Sequence, residues 1–249
     1  MRTTAHLCSL SFTVLIAACA SGEGRDGEPL EEATGVSVDP IIGGTPATAY
    51  PEAAVIDIDK GASGTWNGCS GTLVAPRVVL TAGHCVDGHE KWDVYVHNQH
   101  RSSTRAVTYD WEEVGARFIN PNHHDLGLVF FDQPIALAAY PTLALAPLPD
   151  NSRVSNIGRI KNGALTSSSY QASTTIRSAA PIGYPFDYVS ADVTELGDSG
   201  GAVMAYDTHT IVAVSSGTGG GAQILARVDL LSAWLRAQLA AHSQWRGAQ

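Results

Sequence analysis

Between Val55 and Val228 this chain is a succession of short apolar runs, each ended by a turn signal within a few residues. Val55-Ile56-Asp57-Ile58-Asp59 and Trp92-Asp93-Val94-Tyr95-Val96 alternate apolar and polar, as a strand with one buried face requires. Leu126-Gly127-Leu128-Val129-Phe130-Phe131 is almost continuous, the pattern of a fully buried strand. Thr72–Val74 and Val78–Leu80 flank a turn at Ala75-Pro76-Arg77. Further strands are predicted at Arg153–Ile160, Ser169–Arg177, Gly201–Tyr206, Ile211–Ser215 and Gln223–Val228. Helical spacing emerges only at the end, where Leu230, Leu231, Trp234, Leu235 and Leu239 predict one helix over Leu230–Ala241. Asp229 precedes it, where an acid favours the helix dipole. Many short strands and one terminal helix restrict the fold to an all-β sandwich or barrel. A length of 249 residues accommodates one large domain or two small barrels. The Ala/Leu/Pro-rich stretch from Asp132 to Pro149 lacks periodicity and reads as a link between two halves.

The first 40 residues differ in kind. Arg2 and the apolar stretch Leu7–Ala18 predict an export signal over residues 1–20, too short to span a bilayer as a mature helix. Ile16-Ala17-Ala18-Cys19 fits a bacterial lipobox, in which Cys19 is lipidated, while Ala18-Cys19-Ala20 fits ordinary signal cleavage. The chain is thus expected to be exported, either secreted or lipid-anchored at a bacterial cell envelope. Residues 21–40 are acidic, Gly/Pro-punctuated and poor in apolar side chains, which predicts a linker or pro-segment. The formal net charge of −9 and the lack of a basic stripe argue against nucleic acid as a partner. Cysteine usage agrees with export. Cys8 lies in the signal, Cys69 and Cys85 bracket a strand-like segment, and Cys19 is left over.

Three segments carry chemistry. In Gly197-Asp198-Ser199-Gly200-Gly201, the glycines permit a sharp turn that exposes a serine hydroxyl and brings backbone N–H groups close to a substrate carbonyl. The amides of Gly197 and Ser199 are candidates for an oxyanion hole. Serine is a weak nucleophile without a base. His84, in Leu80-Thr81-Ala82-Gly83-His84-Cys85, supplies one beside a cysteine that can be tied to Cys69. Asp125 precedes the apolar run Leu126–Phe131, a place from which a buried carboxylate can fix a histidine tautomer.

In order along the chain, Ile41-Ile42-Gly43-Gly44, Thr81–Cys85, Asp125-Leu126-Gly127-Leu128-Val129 and Gly197–Gly201 resemble the four signature segments of trypsin/chymotrypsin-like serine proteases. Val154–Arg159 resembles that family's strand after the inter-barrel link, and Ser215-Ser216-Gly217 its substrate-backbone strand. The similarity runs from Ile41 to about Leu239. The resemblance implies two packed six-stranded antiparallel β-barrels with a C-terminal helix, and a protease domain over residues 41–249. It implies a catalytic triad of His84, Asp125 and Ser199, and hydrolysis of protein or peptide substrates through an acyl-enzyme. It also implies activation by pairing of the Ile41 amino group with Asp198. No cofactor or metal is expected.

Some positions depart from the pattern. Asp39-Pro40 stands before Ile41 where zymogens of the family carry a basic residue, so self-activation is not expected: either another protease trims the tail or the domain uses a different route. Glu195 replaces a cysteine upstream of Gly197. Counting back, the primary substrate pocket falls on Asp192, Val193 and Thr194, with Ser215 and Gly217 on the facing strand. A small or hydrophobic pocket is expected, or an Arg-binding one if Asp192 lines it. Ser216 stands where an aromatic is common and is expected to widen the cleft. His123 and His124 are expected to be solvated loop residues rather than metal ligands. A protease fold without turnover is the competing reading. An α/β-hydrolase is disfavoured because His84 and Asp125 precede the serine.

Overall fold

The computed structural model describes residues 44–59, 66–112, 119–161, 164–219 and 221–243. The expected leader, the linker, Cys19 and Ile41 lie outside the described residues. The strands are, in chain order, β1 (Thr45–Pro46), β2 (Ala53–Asp59), β3 (Trp66–Ala75), β4 (Val78–Thr81), β5 (Lys91–Val96), β6 (Gln99–Ser103), β7 (Ala106–Thr108) and β8 (Gly127–Phe130). They continue with β9 (Thr142–Leu143), β10 (Ser152–Lys161), β11 (Ala164–Ser178), β12 (Asp187–Ala191), β13 (Ala202–Ala205), β14 (Thr210–Gly219) and β15 (Ala222–Arg227). A 3-10 turn, Asp229–Leu231, leads into the helix α1, Ser232–Ser243.

Two sheets result. The first runs β6-β5-β2-β3-β4-β8-β7, a curled half-barrel of seven strands. The second runs β11-β10-β13-β14-β15-β12, and β12 pairs back onto β11, so six strands close a barrel. β1 adds to β11 outside this ring. The stretch read as a link between two halves contributes β9, which pairs in parallel with β14. This is the double-barrel architecture with a C-terminal helix, its first half curled rather than closed through the described pairings.

The local causes are visible in β2. Ile56 and Ile58 point into the first core, while Asp57 and Asp59 face outward. The outward face is half-covered because Arg159 of β10 donates from Nη1 to the Ile56 carbonyl at 2.9 Å and to Asp57 Oδ1 at 2.7 Å. In β8, Leu128 and Val129 both lack exposed surface, as the continuous apolar run predicts. Fully burying one such side chain is worth about 1.5–3 kcal/mol.

Cys69 of β3 and Cys85 are joined by a disulfide whose Cα atoms lie 6.4 Å apart. Closing that loop, of sequence separation 16, stabilises by about 3 kcal/mol on the chain-entropy account. A Cys69→Ala/Cys85→Ala variant is therefore expected to lose about 3 kcal/mol in urea unfolding. An unchanged midpoint would show that the bridge constrains nothing the fold does not already fix.

Candidate active site

His84 lies in a single 3-10 turn, Gly83–Cys85, directly after β4. The disulfide holds the turn from one side. Trp92 holds it from another, its Nε1–H donating to the Cys85 carbonyl at 2.8 Å. Asp125 stands just before β8 and is 1% exposed. Its carboxylate takes His84 with both oxygens: Oδ1 accepts the backbone N–H at 2.9 Å and Oδ2 accepts Nδ1–H at 2.8 Å. Ser216 Oγ–H donates to the same Oδ2 at 2.5 Å. Because a carboxylate only accepts, the ring proton is held on Nδ1, which makes Nε2 the acceptor nitrogen of the neutral ring.

The Ser216 contact corrects the expectation that this residue opens the cleft. Ser216 is buried and turned inward onto Asp125. The pairing of β14 with β15 shifts register between Ser215 and Gly217, so a bulge sets the direction of Ser216 against simple alternation.

Ser199 arrives from the second barrel and is part-exposed. Its carbonyl accepts the Ser70 N–H at 2.7 Å and lies 3.7 Å from Cys85 Sγ, next to His84 in sequence. The Asp198 N–H donates to the Glu195 carbonyl at 3.0 Å, and the Gly200 N–H to the Ser215 carbonyl at 2.8 Å. Among the described residues neither the Gly197 nor the Ser199 amide donates a hydrogen bond, and the Ser199 hydroxyl has no partner. Asp198 has no exposed surface, and its Oδ2 accepts the Glu195 N–H at 3.0 Å.

Of the expected pocket residues, Val193 is fully buried in a small apolar cluster with Ala172. Thr194 Oγ1–H donates to Gln223 Oε1 at 2.8 Å, and Gln223 Nε2–H donates to Asn156 Oδ1 at 2.9 Å. Gln223 and Asn156 are wholly buried. Asp192 is part-exposed, and its carboxyl is pushed up by burial, a shift that the Thr194 N–H opposes. Ser215 is buried with a partnerless hydroxyl, and the Cα of Gly217 faces Ile119.

His124 is not a solvated residue. Its ring stacks on Phe186 with centroids 4.2 Å apart, and Nδ1–H donates to Asp110 Oδ2 at 2.9 Å. The neighbouring His123 turns its Nδ1 to the Asp110 carbonyl instead.

Sequence reasoning missed Asp187, the first residue of β12. It is 2% exposed and its Oδ2 has no partner. Burial, and secondarily the Asp125 carboxylate, raise its pKa from 3.8 to about 8, with Arg227 opposing. The native state thus keeps a proton that the unfolded chain gives up above about pH 4. Stability falls as pH rises through that window and levels off above about 8. Asp187→Asn is expected to remove the slope: its unfolding free energy should gain on the parent between pH 4 and 8. A difference independent of pH would contradict a buried neutral acid.

A histidine held by a buried aspartate, with a Gly-rich serine turn bonded through its backbone to β3 of the other sheet, is compatible with a serine-protease scaffold. The chain matches the Trypsin family over residues 41–235, and it belongs to that family. It is 28% identical over 116 residues to chymotrypsin-like elastase family member 1 of Macaca fascicularis. That match spans 43% of this chain and 43% of the relative's length. Among solved structures, HL collagenase superposes with a TM-score of 0.66 at 19% identity, covering 80% of this chain and 98% of its own. Human heparin binding protein does so with 0.66 at 19%, covering 84% and 100%. The scabies mite inactivated protease paralogue S-D1 gives 0.66 at 15%, covering 81% and 98%. These structural likenesses establish the fold.

Proposed function

We propose that this chain is an exported serine endopeptidase with Ser199 as nucleophile, His84 as general base and Asp125 as the group that orients it. The observation that carries this reading is the paired hold of Asp125 on His84, which makes Nε2 the acceptor nitrogen, together with a Ser199 turn in which the Gly197 and Ser199 amides donate to no described residue. His84 takes the Ser199 proton as Oγ attacks the scissile carbonyl. The oxyanion is held by the Gly197 and Ser199 N–H groups. His84 then returns the proton to the leaving amine, and water repeats the sequence on the acyl-enzyme.

The zymogen device follows the same logic. The Ile41 amino group, once freed by another protease, pairs with the buried Asp198 and fixes the 195–199 turn. Cys19, if lipidated, tethers the enzyme to a membrane. Of the expected pocket residues, Val193 is buried and the Thr194 hydroxyl is bound to Gln223, which favours small or hydrophobic side chains at the cleaved position.

Protein beginning at Ile41 should hydrolyse peptide p-nitroanilides ending in Ala or Val faster than those ending in Arg, and Ser199→Ala should abolish the hydrolysis. No turnover above Ser199→Ala from folded protein would favour a protease fold without turnover, a reading supported by the inactivated paralogue among the structural neighbours.

A further inference from the structure

Ser70, in the middle of β3, holds both residues assigned to the oxyanion hole, from the opposite barrel. It is 2% exposed. Its N–H donates to the Ser199 carbonyl at 2.7 Å, and its Oγ–H donates to the Gly197 carbonyl at 3.0 Å. Ser70 is itself fixed, since its carbonyl accepts Thr81 Oγ1–H at 2.8 Å.

The consequence for the turn is specific. The Gly197–Asp198 peptide is held at both ends, its N–H by the Glu195 carbonyl and its C=O by the Ser70 hydroxyl. The Ser199–Gly200 peptide is held likewise, its N–H by the Ser215 carbonyl and its C=O by the Ser70 N–H. Fixing these two planes fixes the direction of the Gly197 and Ser199 N–H groups that precede them. Gly197 needs such a restraint. Its φ of +114° suits glycine, and glycine rotates at little steric cost. On its upstream side stands Leu196, 94% exposed. The hydroxyl of Ser70 is the tie to the first barrel at this peptide, and a buried carbonyl that loses its donor is free to turn.

We propose that Ser70 is a positioning residue of the oxyanion hole, its hydroxyl locking the Gly197 peptide in the orientation that binds the developing oxyanion. The inference rests on the proposed catalytic reading. It touches no substrate and acts through Gly197.

The test compares Ser70→Ala and Ser70→Thr with the parent, all beginning at Ile41. Removing an oxyanion donor costs 10²–10³-fold in kcat, so loosening one is expected to lower kcat by about 10-fold in Ser70→Ala, with KM within about 2-fold. Affinity for an Ala-ending peptidyl boronic acid should fall by the same factor, because that tetrahedral adduct uses the same donors. Ser70→Thr, which keeps the hydroxyl, should restore both. Amide hydrogen exchange supplies a readout independent of turnover: Asp198 and Gly200, whose hydrogen-bonded N–H groups belong to the two peptides that Ser70 holds, should exchange about 10-fold faster in Ser70→Ala, with global unfolding unchanged. Parental kcat, boronate affinity and exchange in Ser70→Ala would overturn the inference. So would equal losses in Ser70→Ala and Ser70→Thr. If the parent itself turns nothing over, the catalytic reading fails while the exchange measurement still decides whether Ser70 locks the turn.

Discussion

Asp125→Asn is expected to lower kcat at neutral pH by about 10⁴-fold while leaving substrate affinity and the fold nearly intact. The reason is a count of donors and acceptors. Asp125 accepts from the His84 N–H, from His84 Nδ1–H and from Ser216 Oγ–H. An asparagine of the same shape must place an NH₂ where one of its oxygens stood. Facing the backbone N–H, that amide has donor against donor, so the group settles with NH₂ toward Oδ2's partners. His84 then accepts at Nδ1, its proton moves to Nε2, and the nitrogen assigned to take the Ser199 proton can no longer do so. The Ser216 hydroxyl can rotate, whereas the ring cannot supply both requirements at once. A kcat/KM profile against pH for parent and variant checks this. A loss below about 10-fold would mean that Asp125 does not control the tautomer, and the assigned roles would fall.

The second large effect is expected at Gly200. Its φ is +85°, a conformation that costs an L-residue about 1–2 kcal/mol. A Cβ there would stand 2.0 Å from Thr81 Oγ1 and 2.3 Å from the Ser70 carbonyl oxygen. Overpacking of this kind typically adds about 1–3 kcal/mol, so Gly200→Ala should lose roughly 2–5 kcal/mol in urea unfolding. Against a total stability of about 5–15 kcal/mol this is severe. The displaced neighbours are Ser70, which holds the Ser199 carbonyl, and Thr81, the end of β4 that leads into the His84 turn. Any folded fraction should therefore react with serine-directed reagents far more slowly than the parent. A variant as stable and as reactive as the parent would mean that the two barrels do not approach as closely at this point.

What the sequence revealed depended on how local each cause was. β2, β4, β5 and β10 were legible because their side chains alternate or run apolar against a core, and their bounds shifted by a residue or two at most at either end. β6, Gln99–Ser103, was not legible, since it is a polar strand at the edge of its sheet, where no apolar face is demanded. β12, Asp187–Ala191, was missed because its first residue is an acid whose burial depends on tertiary neighbours. The helix was read two residues early, because Asp229–Leu231 forms a 3-10 turn in which Asp229 binds Arg227 through both carboxylate oxygens.

The candidate site divides in the same way. His84, Asp125 and Ser199 sit in short motifs whose residue types are dictated by turns and by a strand start, so they could be singled out. Ser216 could not be assigned, because Ser215 and Ser216 are the same residue type and only the bulge after Ser215 turns the second toward Asp125. Ser70 looked like an ordinary polar residue of a strand. Its two bonds reach residues 127 and 129 positions away, a distance at which no local pattern informs. His124 shows the same limit: its stacking on Phe186 brings together two segments that share no motif.

The central claim is that Ser199 is an activated nucleophile. Its most direct test is reaction of protein beginning at Ile41 with a fluorophosphonate probe, followed by mass-spectrometric mapping of the adduct, with Ser199→Ala alongside. The account predicts one adduct per chain, on Ser199, and none in Ser199→Ala. Folded parent protein that takes up no probe, or an adduct that persists in Ser199→Ala, would contradict it.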